Sequence, residues 1–189
     1  MHEAEARASG IDPLRGHPGR SLDILRYGRP RFETHVARIT DAPVFDEAWS
    51  SLQAEFERGQ QLCESPIERN MLAALLTADW PVCRSLFPAI HNAKDYNEAF
   101  PRNEVVIVPQ MAILRYRMDL GLVVGRMDRR PLIVGVECDG KAFHQDGGKD
   151  RERDSYFSAL GIRVFRVTGS VLNFQPIAIA DALIQTVEQ

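Results

Sequence analysis

The fold is decided by residues 105–139, which read VVIVPQMAILRYRMDLGLVVGRMDRRPLIVGVECD. Three β-rich runs lie in this stretch, at Val105–Leu114, Arg117–Val124 and Leu132–Asp139, and Gly125–Arg130 has the composition of a turn between the last two. Runs joined by connections this short can pair as antiparallel neighbours. The sequence therefore predicts a three-stranded meander.

Two helix signals precede the meander. Apolar residues from Val44 onward fall on one helical stripe that ends at Gly59, which predicts a first helix. Ser65-Pro66-Ile67-Glu68 combines an N-cap serine, a proline at the first helical position and a glutamate three residues after the cap, and it leads into an apolar run. We expect this second helix to be almost entirely buried.

Helix and strand signals alternate after the meander. The pattern predicts a helix from about Gly148 to Leu160, a strand at Arg163–Thr168 and an amphipathic helix at Pro176–Val187. The whole order is α-β-β-β-α-β-α behind an extra N-terminal helix. This order predicts an α/β domain, with a central mixed β-sheet flanked by helices, over residues 44–189.

Residues 1–43 differ in composition from the rest of the chain. They contain fewer Leu, Ile, Val and Phe residues, and the turn-forming pieces Asp12-Pro13, Gly16-His17-Pro18-Gly19 and Gly28-Arg29-Pro30 interrupt any periodicity. We therefore expect an extended or partly disordered arm, with at most one turn around Ser21–Tyr27.

Composition excludes several classes of protein. The 189 residues contain no uncharged apolar run of the ~18 residues that a membrane span needs. The three cysteines form no C-x-x-C pair, so neither a disulfide framework nor a zinc knuckle is expected, and a reducing cytoplasm is the simplest setting.

The net charge is −3, but residues 100–170 carry +3, which predicts a local basic surface around a small acidic cluster.

The acidic cluster lies in the meander. Asp119 stands among apolar residues of its strand, and Glu137 and Asp139, two residues apart, project from one face of theirs. In an antiparallel pair Asp119 can face Glu137, and carboxylates this close repel unless a cation neutralises them. All-oxygen ligands favour Mg²⁺, with Mn²⁺ as a substitute. The alternative is a set of strand-end acids in ion pairs with Arg115, Arg117 or Arg163, with Asp139 as an ordinary turn residue.

The order of polar residues between 63 and 172 resembles a known family. The pattern is Glu68 on a buried helix, Gln110 and Tyr116-Arg117-Met118-Asp119 on strands, Val136-Glu137-Cys138-Asp139-Gly140 and His144, then Asp150, Arg153-Asp154, Gly161 and Val164-Phe165-Arg166-Val167. It looks like the PD-(D/E)xK nuclease superfamily, in the branch similar to the very short patch repair endonucleases. Met118 stands where the motif name has Pro, and Asp139 stands where it has the catalytic Lys; an E-x-D-G-x-x-H version is typical of this branch.

The resemblance implies a restriction-endonuclease-like core and Mg²⁺-dependent hydrolysis of DNA phosphodiesters. Asp119 would be the acid of the "PD" element and Glu137 that of the E-x-K element, and these carboxylates, with the backbone carbonyl of Cys138, would hold the metal. The ion would polarise a phosphate oxygen and lower the pKa of a bound water.

Three further residues are candidates for catalysis. Lys141 would stabilise charge on the phosphate, and His144 would act as general acid or base; the alternative for His144 is a hydrogen-bonded loop histidine. Glu68 would hold a metal-associated water, although its place in a capping box explains it equally well.

Five basic residues are candidates for DNA binding. They are Arg117, Lys149, Arg151, Arg153 and Arg166. Lys149, Arg151 and Arg153 fall in the first turns of a helix, where basic residues oppose the helix dipole, so phosphate contact is one reason for them. The alternatives are a solvated helix face and, for Arg153, a pair with Asp150 or Asp154. Arg166 is expected to contact the acids and hold them in place without itself binding the metal.

The sequence thus favours a metal-dependent DNA endonuclease, acting alone, as a homodimer or in a larger DNA-processing assembly. The alternative is a nuclease-fold nucleic-acid-binding or assembly module with little or no catalysis. A small-molecule phosphatase is less favoured, because no Gly-rich phosphate-binding loop is present.

Overall fold

The computed structural model describes residues 21–93, 103–127, 130–139 and 147–188, apart from the side chains of 147–151. The helices are α1 (Ser21–Ile39), α2 (Phe45–Gln60), α3 (Pro66–Leu76), α4 (Gly147–Ala159), α5 (Gly169–Phe174) and α6 (Pro176–Glu188). The strands are β1 (Ala89–Ile90), β2 (Val105–Ile113), β3 (Tyr116–Val124), β4 (Leu132–Asp139) and β5 (Arg163–Thr168). Among these described residues, no helix has the length and apolar character needed to cross a membrane.

The five strands form one mixed sheet in the order β1-β2-β3-β4-β5. β2, β3 and β4 are antiparallel neighbours, as predicted for the meander, whereas β1 and β5 lie parallel to β2 and β4 at the two edges. The sheet therefore confirms the predicted α/β class. β1 and the short helix α5 were not predicted from the sequence.

Each face of the sheet carries its own apolar core. On one face, residues such as Leu122 of β3 pack in a large cluster with buried side chains of α1, α2, α3 and α6. On the other face, Val106 and Val123 pack with Phe157 of α4 and with Ile162. Helices thus cover both faces. Burial of both faces explains why the central strands are nearly continuous apolar runs.

The prediction of an arm is wrong for residues 21–39, which form the regular helix α1. Its side chains Ile24, Leu25, Phe32 and Val36 are 0–2 % exposed and belong to the large core. Gly28, which suggested a turn, instead permits a close approach, because a Cβ there would lie 2.1 Å from Thr77 Oγ1. Tertiary packing therefore outweighs the local cost of a glycine and a proline inside the helix.

A pair of glycines creates space between the two central strands and two methionines. Gly121 and Gly135 are direct partners in the β3–β4 ladder. A Cβ at Gly121 would lie 2.1 Å from Met111 Sδ, and one at Gly135 would lie 2.9 Å from Met118 Sδ. The two thioethers therefore pack directly over the glycine backbone, at the level where the candidate site begins.

Candidate functional site

The site begins at a local irregularity in β2. Val108 and Met111, three residues apart, pack in the same core although regular alternation would bring every second residue to one face. Gln110 lies between them with φ +56°, a left-handed conformation that costs on the order of 1–2 kcal/mol for a residue with a Cβ. The change of alternation directs the Gln110 side chain toward α3.

One row of polar side chains crosses four strands at this level. Pro109 pairs with Leu120 and Met111 pairs with Met118, so Gln110 and Asp119 lie opposite each other between these two pairs. The remaining members of the row follow from the next ladders. The β3–β4 ladder ends at Leu120↔Val136, which makes Asp119 and Glu137 the next opposing positions, and Glu137 pairs with Arg166 of β5. The predicted facing of Asp119 and Glu137 agrees with this register.

Glu68 joins the row from the start of α3. Ser65 Oγ accepts a hydrogen bond from the Glu68 N–H (3.2 Å), so the predicted N-cap is confirmed. The Glu68 side chain departs from a standard capping box, because its Oε2 accepts from the N–H of Glu64 (2.9 Å) rather than from that of Ser65. The same oxygen accepts from Gln110 Nε2 (2.7 Å), and Glu68 is only 4 % exposed. Glu68 therefore connects α3 to β2, the strand next to the one that carries Asp119.

Asp119 is held by the neighbouring strand. The backbone N–H of Cys138 donates to Asp119 Oδ2 at 2.6 Å. Burial, and the negative charges of Glu68 and Asp139, raise the pKa of the Asp119 carboxyl, while the Cys138 N–H opposes that rise. Asp119 is therefore an acid in fixed geometry whose ionised form is costly unless a positive charge joins it.

Glu137 lies beside a partly buried arginine. Arg153 Nη1 of α4 is 3.5 Å from Glu137 Oε2, with only 19 % and 14 % of the two side chains exposed. Burial raises the pKa of Glu137 and the charge of Asp119 adds to the rise, whereas Arg153 and Arg166 lower it. Glu137 Oε1 is buried and has no hydrogen-bond partner among the described residues. Within the described part of the chain, this oxygen therefore has no hydrogen-bond donor.

Asp139 and Cys138 complete the end of β4. Asp139 is half-buried opposite Thr168, and its charge raises the pKa of both Asp119 and Glu137. The Cys138 side chain points to the other face and is buried in the large core, so only its backbone belongs to the site. Its thiol has a pKa raised by burial, which makes it an unreactive group.

Two predicted DNA-binding arginines form ion pairs at the rim of the site. Arg117 is 59 % exposed and donates two hydrogen bonds of 2.9 Å to the carboxylate of Glu64. Arg166 donates two bonds of 2.8 and 2.6 Å to Asp154. Asp154 therefore pairs with Arg166, and Arg153 lies against Glu137.

Several predicted site residues lie outside the described structure. Lys141 and His144 fall in residues 140–146, and the side chains of Lys149 and Arg151 fall in 147–151. Their proposed roles stay predictions from the sequence.

The donor set at Asp119 and Glu137 suits a hard divalent cation. Mg²⁺ is usually held by one or two carboxylates, with water and phosphate oxygens as its other ligands. Glu137 Oε1, which has no partner among the residues that the structure describes, is a carboxylate oxygen of this kind. No group of three or more histidine, cysteine, aspartate or glutamate side chains within the described ranges is arranged to hold a metal ion. A cation here would therefore rest on these two carboxylates and on the Cys138 carbonyl.

Two features of the site were not found from the sequence. Gln110 entered only as part of the family resemblance, although a polar residue inside an apolar strand is a signal in itself. The contact of Arg153 with Glu137 has no sequence signal, because it depends on how α4 packs across the sheet.

Comparison of this chain with protein-family models, with curated proteins and with solved structures finds no match.

Proposed function

We propose that this chain is a metal-dependent DNA endonuclease with a restriction-endonuclease-like core, similar to the very short patch repair branch. The observation that carries the proposal is the position of Asp119 and Glu137, one step beyond the last β3–β4 pair, Leu120↔Val136. Both carboxyls are half-buried with raised pKa values, and Glu137 Oε1 has no hydrogen-bond partner among the described residues. Half-buried acids this close are unfavourable for stability alone, and such costs are typical of functional sites. The mixed sheet with helices on both faces is compatible with this core.

The chain's own residues would divide the work. Asp119, oriented by the Cys138 N–H, and Glu137 would hold a Mg²⁺ ion, which supplies charge stabilisation at the phosphate and activates water. Glu68, held in place by its hydrogen bond from Gln110, would orient a water molecule from α3. Arg117 and Arg166, at the rim, would contact the DNA backbone by exchanging a carboxylate partner for a phosphate.

The direct test is cleavage of plasmid, linear and single-stranded DNA with Mg²⁺, Mn²⁺ or EDTA. We expect nicking or cutting that requires the divalent ion and is lost in Asp119→Asn and in Glu137→Gln. DNA binding should be unchanged or tighter in both variants, because each removes negative charge near the phosphate. Asp41→Asn changes an exposed acid in the same way and is the matched control.

The alternative, a DNA-binding or assembly module without catalysis, is favoured by one observation. Arg153 already provides a positive charge to Glu137, so the acids are partly neutralised without a metal. The same experiment separates the two functions. Metal-independent DNA binding with no cleavage in any divalent ion would support the module, and wild-type nicking by Asp119→Asn would contradict the assigned site.

A further inference from the structure

The Arg153–Glu137 pair is built into the packing of the protein. Phe157, one helical turn after Arg153 in α4, is fully buried against the sheet and makes an edge contact with Tyr116 at 5.2 Å between ring centroids. Residues four apart share one face of a helix. The packing of Phe157 therefore directs Arg153 toward the sheet, and the pair follows from the core rather than from a flexible surface side chain.

The two neighbouring residues of α4, Arg153 and Asp154, contact different strand residues. Asp154, the next residue, binds Arg166 through both carboxylate oxygens. Arg153 lies at Glu137 Oε2, and the buried Glu137 Oε1 beside it has no partner among the described residues. A guanidinium therefore lies within 3.5 Å of one of the two carboxylates that would hold a divalent ion. A second cation at the same carboxylate would be repelled by it, since the pair is largely shielded from solvent.

We propose that Arg153 is a positioning residue and a built-in counter-cation: it neutralises Glu137 in the metal-free protein and weakens binding of the divalent ion, which must displace it. This inference rests on the proposed metal site at Asp119 and Glu137. The displaced guanidinium is then available to a phosphate oxygen, for which its planar donors are well suited. Metal and DNA would thus bind together more favourably than either alone.

The test is Mn²⁺ binding to the full chain by calorimetry, without DNA. Arg153→Met removes the competing charge, and we expect it to bind Mn²⁺ about tenfold more tightly, the effect of roughly 1.4 kcal/mol. Arg115→Met removes the same charge from a side chain that is 71 % exposed and pairs with Glu152, and it should stay within about twofold of wild type. If Arg153→Met fails to fold, Arg153→Gln keeps an amide donor for Glu137 without the charge and carries the same expectation.

The outcomes are distinct for the two proposals. Equal or weaker Mn²⁺ binding in the neutral Arg153 variants, with clear binding by wild type, would overturn the role of Arg153 alone. No binding by wild type or by any variant would overturn the metal site, and the Arg153 proposal with it. Tighter binding in the variants but no DNA cleavage by any protein would support the Arg153 proposal while contradicting the nuclease function.

Discussion

Gln110 Nε2 lies 2.7 Å from Glu68 Oε2, and this hydrogen bond joins strand β2 to the first turn of α3. It depends on the left-handed backbone at Gln110, which directs the side chain toward the helix. Glu68 therefore has two structural tasks, closing the start of α3 through the N–H of Glu64 and anchoring the irregular part of β2. Neither task needs a negative charge, although the charge of Glu68 raises the pKa of Asp119.

Glu68→Gln separates the structural role of Glu68 from a catalytic one. The amide oxygen can accept the same two hydrogen bonds, so we expect the melting temperature to be unchanged or slightly higher. If Glu68 orients a water at the metal, the single-turnover cleavage rate should fall by about 10²-fold, the scale of a lost catalytic group. Glu57→Gln, an exposed change of the same kind on α2, is the control. Full activity at unchanged stability would leave Glu68 with capping and anchoring alone.

The raised pKa values of Asp119 and Glu137 predict the sign of a pH effect on stability. A carboxyl whose pKa is higher in the folded chain binds more protons in the folded than in the unfolded state. Its contribution to folding stability is therefore fully present below the unfolded pKa of about 4 and is lost as the pH rises through the folded pKa. Asp119→Asn removes the cost of ionising this carboxyl in the folded chain, and its amide oxygen can still accept from the Cys138 N–H.

We therefore expect Asp119→Asn to be more stable than wild type at pH 7, by up to about 1 kcal/mol, with a smaller difference at pH 3.5. Urea unfolding at the two pH values measures this. A variant that is less stable than wild type by the same amount at both values would contradict the assignment of the pKa shift.

His144 and Lys141 remain the candidates for the role of the missing lysine. We expect His144→Ala to lower the single-turnover rate by roughly 10²-fold or more. Lys141→Ala should act mainly through weaker DNA binding with a shallower salt dependence, as for one lost phosphate contact. Asp139→Asn should be intermediate if that acid orients water or shares the metal. The opposite result, loss of chemistry at saturating DNA in Lys141→Ala and little effect in His144→Ala, would exchange the two roles.

Helix α1 is expected to be part of the cooperative fold. Phe32 is fully buried, with its ring centroid 5.5 Å from that of Trp49, so Phe32→Ala should cost about 3–5 kcal/mol of unfolding free energy. Leu22→Ala, at a side chain that is 50 % exposed on the same helix, should cost less than about 1 kcal/mol. Equal, small effects in chemical denaturation would mean that α1 is not part of the core.

The sequence predicted the strands better than it predicted helix α1. β3 and β4 carry long apolar runs that only burial on both faces explains, so their bounds and pairing follow from composition. In α1, the residue types of Gly28 and Pro30 favour a turn. The reason for a glycine at position 28 is visible only in the folded structure, where Thr77 lies too close for a Cβ. The opposition of Asp119 and Glu137 followed from the antiparallel register alone. The change of side-chain alternation at Gln110 and the approach of Arg153 depend on tertiary packing, which no local pattern records.

The methionines over the Gly121–Gly135 pair are positions at which oxidation would damage the sheet. A sulfoxide adds a polar oxygen to a thioether that packs against backbone, and neither Met111 nor Met118 is more than 6 % exposed. Peroxide would therefore react slowly with the folded chain and faster with transiently opened molecules. Once oxidised, Met118 would force apart the strands that carry Asp119 and Glu137. Excluding peroxide during storage would then preserve the geometry of the acids, even though none of the three cysteines is exposed.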